Sequence, residues 1–257
     1  MKKHSVFLIT GVLLLVVLSS CGLPASGTGS EGGSTGGEGS TSPSGNCANP
    51  LLPVVLDASW NFKSTESVIG EYDLSYTVSN AGSDGFTFLV TYSTGVSVSQ
   101  DWSCDSGNLT QIDTGGGVAG TLSTNSGLTS EMVTENVVGV TLPAVVAAND
   151  TWTLTQDISS TTNLPDGSVG TVEGSYSTTF TAVGTEQVTV VAGTFNAMRI
   201  QAEQVFDMIV HAAGFDVPTT ITNSSTFWYA QNVGIVKMIN VNDFETETIE
   251  LQSYFIP

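Results

Sequence analysis

The chain has 257 residues, 24 of them acidic and 5 basic, for a formal charge of −19. Acidic residues are not unusually abundant; Lys and Arg are scarce, and beyond position 20 only Lys63, Arg199 and Lys237 remain. Gripping a phosphate backbone takes several cationic contacts, and docking on anionic lipid takes a basic cluster. Composition therefore excludes nucleic acid as a partner and excludes basic-patch docking of the folded part on a bilayer.

Met1 to Ser5 carries Lys2 and Lys3, and Val6 to Leu18 is apolar apart from Thr10 and Gly11. A basic stretch followed by an apolar run of this length predicts a signal peptide over residues 1–20, as a short helix. It is shorter than the roughly 20 residues needed to span a bilayer. The run ends in Leu18-Ser19-Ser20-Cys21, which resembles the lipobox of bacterial lipoproteins. That resemblance implies a diacylglycerol on the sulfur of Cys21, cleavage just before it, and acylation of the new amino group. The residue types suit the chemistry: Ser19 and Ser20 are small enough to flank a scissile bond, and only Cys offers a thiolate. Gly22 stands where an Asp would resemble the inner-membrane retention signal of such lipoproteins. Two or more acyl chains hold stably where one does not. No later segment offers about 18 consecutive apolar residues, so the expectation is a protein anchored to membrane lipid through Cys21 without spanning the bilayer. Its location is then the bacterial cell envelope, facing outside the cytoplasm.

Residues 21–46 follow the anchor as a tract made mostly of Gly, Ser and Thr. Such a composition cannot bury a core and predicts a flexible, disordered linker. The remainder, residues 47–257, is the candidate folded domain. Two cysteines lie in it, Cys47 and Cys104. Outside the cytoplasm such a pair oxidises, closing a loop worth about 4 kcal/mol of chain entropy at most. Free thiols in an anaerobic organism are the alternative. Spacing and number exclude a CxxC centre or a zinc site.

The domain reads as strands. In YDLSYTVS, Tyr72, Leu74, Tyr76 and Val78 share one face; in TWTLTQDI, Trp152, Leu154, Gln156 and Ile158 do. QVTVV and TFWYA alternate in the same way. This period marks strands with one buried face. Breaks are expected at Asn80–Gly85, Ala148–Asp150, Leu164–Gly167, Val183–Gln187 and Ala212–Asp216. The glycine-rich Thr114–Gly120 lacks the strand-to-helix context and the Lys of a phosphate loop and reads as a surface turn. Short connections imply antiparallel pairing. The expected fold class is all-β: an antiparallel curved sheet closing into a barrel or sandwich. A faint echo runs through it. LPVVLDASWNF from Leu52 and LPAVVAANDTWTL from Leu142 are each followed by a Ser-Tyr strand, at Ser75 and Ser175. Two similar halves, 47–138 and 139–257, are one explanation; coincidence in a Ser/Thr/Val-rich alphabet is the other.

VTVVAGTFNAMRI (Val188–Ile200) and FWYAQNVGIVK (Phe227–Lys237) together resemble exported bacterial β domains of the TapB-like type, whose function is poorly defined. Ala192, Gly193, Thr194 and Phe195 match the turn of that pattern, with Val191 replacing its usual proline. Trp228, Ala230, Gly234, Val236 and Lys237 match the second block. The resemblance implies an antiparallel, barrel-like sheet and no reaction. Phe195 and Trp228 are expected to be core anchors.

No constellation of catalytic residues declares itself, and no cofactor or metal site is expected. One histidine, His211, lies beyond the signal, so a histidine-rich metal site is impossible within one chain. His211 has no G-x-S-x-G partner for a triad and reads as a strand-end residue beside a turn. Glu245 and Glu247 lie on one strand face; they read as solvated charges that discourage edge pairing, with an acid–base pair or calcium ligation as the remote alternative. The expected function is a non-enzymatic binding module for an apolar small molecule or an envelope component, inside a barrel that Trp60, Trp102, Trp152 and Trp228 could line. A structural or adhesive surface protein is the alternative, and a hydrolase using acidic residues the remote one. Mass analysis of the protein from its own host tests the anchor: the expected amino-terminal residue is an acylated Cys21, and Cys21→Ser should move the chain out of the membrane fraction.

Overall fold

The computed structural model describes residues 45–67, 70–113, 129–163, 169–212, 215–242 and 245–257. The signal peptide, Cys21 and most of the glycine-rich tract lie outside the described residues, as do the turns expected at Thr114–Gly120 and Leu164–Gly167. Among the described residues the chain is nearly all β. A single 3-10 turn, Gly45–Cys47, precedes twelve strands: β1 (Ser59–Glu66), β2 (Gly70–Ala81), β3 (Gly85–Tyr92), β4 (Ser97–Asp105), β5 (Asn108–Gln111), β6 (Thr129–Gly139), β7 (Thr151–Asn163), β8 (Val169–Val190), β9 (Gly193–Ala212), β10 (Phe215–Ala230), β11 (Gly234–Val241) and β12 (Thr246–Phe255).

All twelve form one antiparallel sheet in the order β5-β4-β3-β2-β1-β12-β11-β10-β9-β8-β7-β6. The chain starts in the middle of the sheet, walks to one edge, crosses to the other and walks back, so that β12 pairs with β1. The alternation read from the sequence is the alternation observed: Leu74 and Val78 on β2 and Leu154, Gln156 and Ile158 on β7 are buried. The sheet then curls until its edges meet. Leu109 and Leu142 exchange a pair of backbone hydrogen bonds of 2.9 Å each, and the backbone N–H of Gln111 donates to Thr141 Oγ1 at 2.9 Å. The result is a nearly closed barrel.

Cys47 and Cys104 are joined by a disulfide with Cα atoms 5.0 Å apart, which fastens the start of the domain to β4. Asn49, buried to 2% exposure, caps the closure: its amide donates to the carbonyls of Gly107 (2.8 Å) and Pro143 (3.0 Å). Asn46, counted above with the linker, donates to Asp84 Oδ1 at 2.7 Å.

One expected break is not a break. Val183–Gln187 lies inside β8, which pairs with β9 without interruption as far as Val190↔Gly193. The register shifts between Ala182 and Gly184, and Gly184 takes φ +141°. A bulge absorbs one extra residue there, so glycine bends the strand instead of ending it. The hairpin comes later, at Val191-Ala192, with Gly193 at φ +143°. The echoing Leu-Pro segments make matching bonds. Asp57 donates to Val78 O, and Val78 N donates back to Ala58 O; Asn149 donates to Ala182 O, and Ala182 N donates back to Asp150 O. Asp57 and Asn149 both take positive φ, and both partner strands carry a bulge just after the bonded residue.

β8, β9 and β10 are the longest strands. From Phe215 to Asn223, β10 pairs only with β9, because its pairing with β11 begins at Ser224↔Val241. At about 3.3 Å per residue they carry a blade well past the short half of the barrel. At the opposite end Leu109, Leu142 and Leu251 are fully buried in the core. Leu251 is fully buried on central strand β12. Leu251→Ala should cost about 2–5 kcal/mol, read as a lower urea midpoint with an unchanged slope.

Candidate ligand cavity

The interior is not filled throughout. Between the packed end and the blade lies a cavity of about 490 Å³, within the ordinary range of small-molecule pockets. It exists because inward-facing residues of strands from both halves of the chain meet across it: Phe62 and Tyr76 from β1 and β2, Phe180 and Phe206 from β8 and β9, Phe227 and Met238 from β10 and β11. The wall runs on into the blade through Val172, Met208 and Ile221. Most of the surface is apolar, and the aromatic rings brace one another. Tyr76 meets Phe62 and Phe88 edge-on, and Tyr176 stacks on Phe206 at 4.4 Å between centroids.

Of the four tryptophans, Trp60 and Trp102 line this space. The other two do not. Trp152 stacks on Phe180 at 5.4 Å and donates to the carbonyl of Thr141. Trp228 pairs with Arg199 in the β9–β10 register, on the outer face, and its indole N–H donates to Glu186 Oε1 at 2.7 Å. It is buried there, as the anchor reading expected. Phe195, the other expected anchor, is only partly buried and meets Tyr254 edge-on.

Several Ser, Thr, Asn and Gln side chains interrupt the apolar wall. Gln156 is 2% exposed; its Nε2 donates to the backbone carbonyl of Gln111 at 2.7 Å, across the seam where the sheet closes. Its Oε1, the indole N–H of Trp102 and Oδ1 of Asn223 are buried with no hydrogen-bond partner in the protein. Sequence periodicity already placed Gln156 on the buried face of its strand. Asn223 carried no such signal, because its neighbours in Ile221–Ser225 are mostly polar.

Two residues along β12 from Ile249 of the wall stands a carboxylate. Glu247 faces inward on β12, opposite Asn240 of β11 and Glu66 of β1. Its Oε1 accepts from Ser64 Oγ at 2.7 Å and from the Tyr72 hydroxyl, and its Oε2 accepts from Asn240 Nδ2 at 2.8 Å. Asn240 is held in turn by Ser225 Oγ at 2.9 Å. Burial, and then the bond to Glu247, push the Tyr72 phenol far above its ordinary value; burial alone does the same for Tyr229. These phenols stay neutral donors. The reading of Glu247 as a solvated edge charge is therefore corrected: β12 lies between β1 and β11 in the middle of the sheet, and its inward face is interior. Glu245 parts from it, in the turn before β12, where its backbone N–H donates to Asn242 Oδ1 at 3.0 Å. The two carboxylates do not form an acid–base pair on one face.

Among the described residues no Lys, Arg or His lines the cavity. Lys63 pairs with Glu71, Arg199 with Glu186 at 3.3 Å, and Lys237 with Glu250 at 2.7 Å. Among the described residues no three His, Cys, Asp or Glu come together in a metal-binding group.

With this geometry in place, the comparisons are informative about fold. A family model described as DUF3108-like matches residues 151–249, which is β7 into β12. The chain is similar to a solved lipoprotein from Parabacteroides distasonis, at 15% identity and a TM-score of 0.51, over 80% of this chain and 99% of that one. That likeness shows a shared fold. An exported protein with a YmcC-like fold from Bacteroides fragilis matches at 16% identity and a TM-score of 0.47, covering 80% and 98%. The lipoprotein YmcC of Escherichia coli matches at 10% and 0.36, covering 79% and 88%. No curated protein matches.

At the tip of the blade, His211 Nδ1 lies 2.7 Å from Asp216 Oδ1, and Nε2 lies 3.5 Å from Glu173 Oε1. The bond to Asp216 raises the imidazole above its usual 6.5, against the opposing effect of burial. A raised folded-state value means this contact is fully present below pH 6.5 and is lost as pH rises through the folded pKa. Proton NMR of the imidazole should give a midpoint above 6.5, and Asp216→Asn should move it down.

Proposed function

We propose that this protein is an extracytoplasmic lipoprotein, tethered to a membrane through Cys21, whose β domain binds an apolar small molecule inside the barrel and catalyses no reaction. The observation that carries the binding role is the cavity itself. Protein interiors are ordinarily close-packed, yet this barrel keeps about 490 Å³ open under a mostly apolar wall. An apolar hollow of this size forfeits packing contacts along its whole lining; an apolar occupant restores them and removes its own surface from water.

The envelope address rests on separate grounds. The signal-like run, Cys21 and the Gly/Ser/Thr tract agree with one another. The protein from Parabacteroides distasonis that shares the fold is described as a lipoprotein. A disulfide suits the same compartment. The long tether would hold the barrel clear of the headgroups while leaving its mouth free to turn toward the bilayer or away from it.

Native mass spectrometry of the protein purified from its own host tests the binding role. A non-covalent apolar adduct is expected. Ile221→Trp, which fills the cavity from the blade side, should lose most of it, while Thr222→Trp, on the exposed face of the same strand, should keep it. Equal adducts on both variants, or none on the wild type, would count against a ligand in the barrel and favour a structural role at the surface.

A further inference from the structure

We infer that the cavity selects a neutral amphipathic ligand, an apolar chain or ring bearing a hydroxyl or similar hydrogen-bond donor, and rejects the matching carboxylate. This rests on the binding role proposed above and adds the chemistry of the ligand's polar end.

The first ground is the set of buried polar atoms left without partners. Gln156 cannot turn freely, because its Nε2 is committed to the carbonyl of Gln111 at 2.7 Å. Its Oε1 is therefore an acceptor fixed in place, with nothing in the protein donating to it. Trp102 stands opposite Gln111 in the β4–β5 register, and its indole N–H has no acceptor. Gln156 and Trp102 both line the cavity, so the seam places one unused donor and one unused acceptor just beneath the same wall. A hydroxyl is the small neutral group that both accepts and donates. From another wall, Asn223 offers a second unused acceptor. Leaving such groups unsatisfied in a low-dielectric interior is costly, so a ligand that supplies the missing partners is favoured over one that is merely apolar.

The second ground is charge. A carboxylate brought into this space meets no cation, since Lys63, Arg199 and Lys237 are all paired with acidic residues elsewhere and none lines the wall. Two residues along β12 from Ile249 of the wall it would also find a second carboxylate, Glu247, bonded to Ser64, Tyr72 and Asn240. Burying an unpaired anion carries a large desolvation cost. A fatty-acid anion is thus disfavoured twice, while the alcohol of the same length is not.

Competition among dodecanol, dodecanoate, dodecylamine and methyl dodecyl ether tests this, with occupancy of the full-length lipidated protein read by native mass spectrometry in one detergent. At neutral pH dodecanol should bind about tenfold more tightly than the ether, which keeps the length and loses the donor. Dodecanoate should bind more weakly still, and should gain affinity as acid protonates it. Gln156→Leu should erase the alcohol–ether difference. Because that change also strips a donor from Gln111 O, Asn223→Leu serves as the second variant and should narrow the difference without touching the seam. The inference is overturned if the ether matches the alcohol, or if dodecanoate or dodecylamine binds as tightly as dodecanol at neutral pH; in either case a ligand still sits in the barrel and the binding role survives. Retention of none of the four overturns both.

Discussion

Leu109 and Leu142 bond to each other through their backbones, and this contact joins the two ends of the sheet. Without it, β5 and β6 would be free edges of an open twelve-stranded sheet, and the inward faces of both halves would lie against water. The neighbourhood is built to hold it. Both leucines are fully buried, Asn49 ties the carbonyls of Gly107 and Pro143 together from below, and the Cys47–Cys104 bond fixes the segment that carries Asn49. A one-residue slip at this seam would turn Gln111 and the residues paired with it to the wrong face.

The seam also makes the site. Gln156 reaches across it to Gln111, and Gln156 itself lines a space that exists only because the sheet is closed. Structure and site are in this sense one contact seen from its two sides. The same closure explains the division of the interior. Short strands meet at one end and their large side chains fill it; at the other, β10 continues beyond β11, and among the described residues no strand pairs with its free side from Phe215 to Asn223.

The inward carboxylate of β12 shows how context changes the meaning of a residue. Two glutamates in FETETIE look equivalent as a string. Glu245 ends in a turn bonded to Asn242, while Glu247 points inward among Ser64, Tyr72 and Asn240. A strand that lies between two others has an interior face whatever its composition, and β12 lies between β1 and β11. Nothing local in the sequence says that a terminal strand will be a central one.

By itself the sequence determined the all-β class, several of the strands, the buried faces of β2 and β7, the scarcity of cations and the two cysteines available to pair. Those features are set by side-chain alternation with period two, by glycine and asparagine at positions of positive φ, and by plain counting, all of which act within a few residues. It misjudged Val183–Gln187 because a glycine that permits a turn equally permits a bulge, and only the continued pairing with β9 decides between them. Tertiary structure alone decided that β12 would lie beside β1, that the edges would meet, and that Trp60 and Trp102 would look into a hollow while Trp152 and Trp228 would not. The physical reason is range. Periodicity tells each strand which side to bury, but the space enclosed depends on strands far apart in the chain arriving at the same place with unequal lengths.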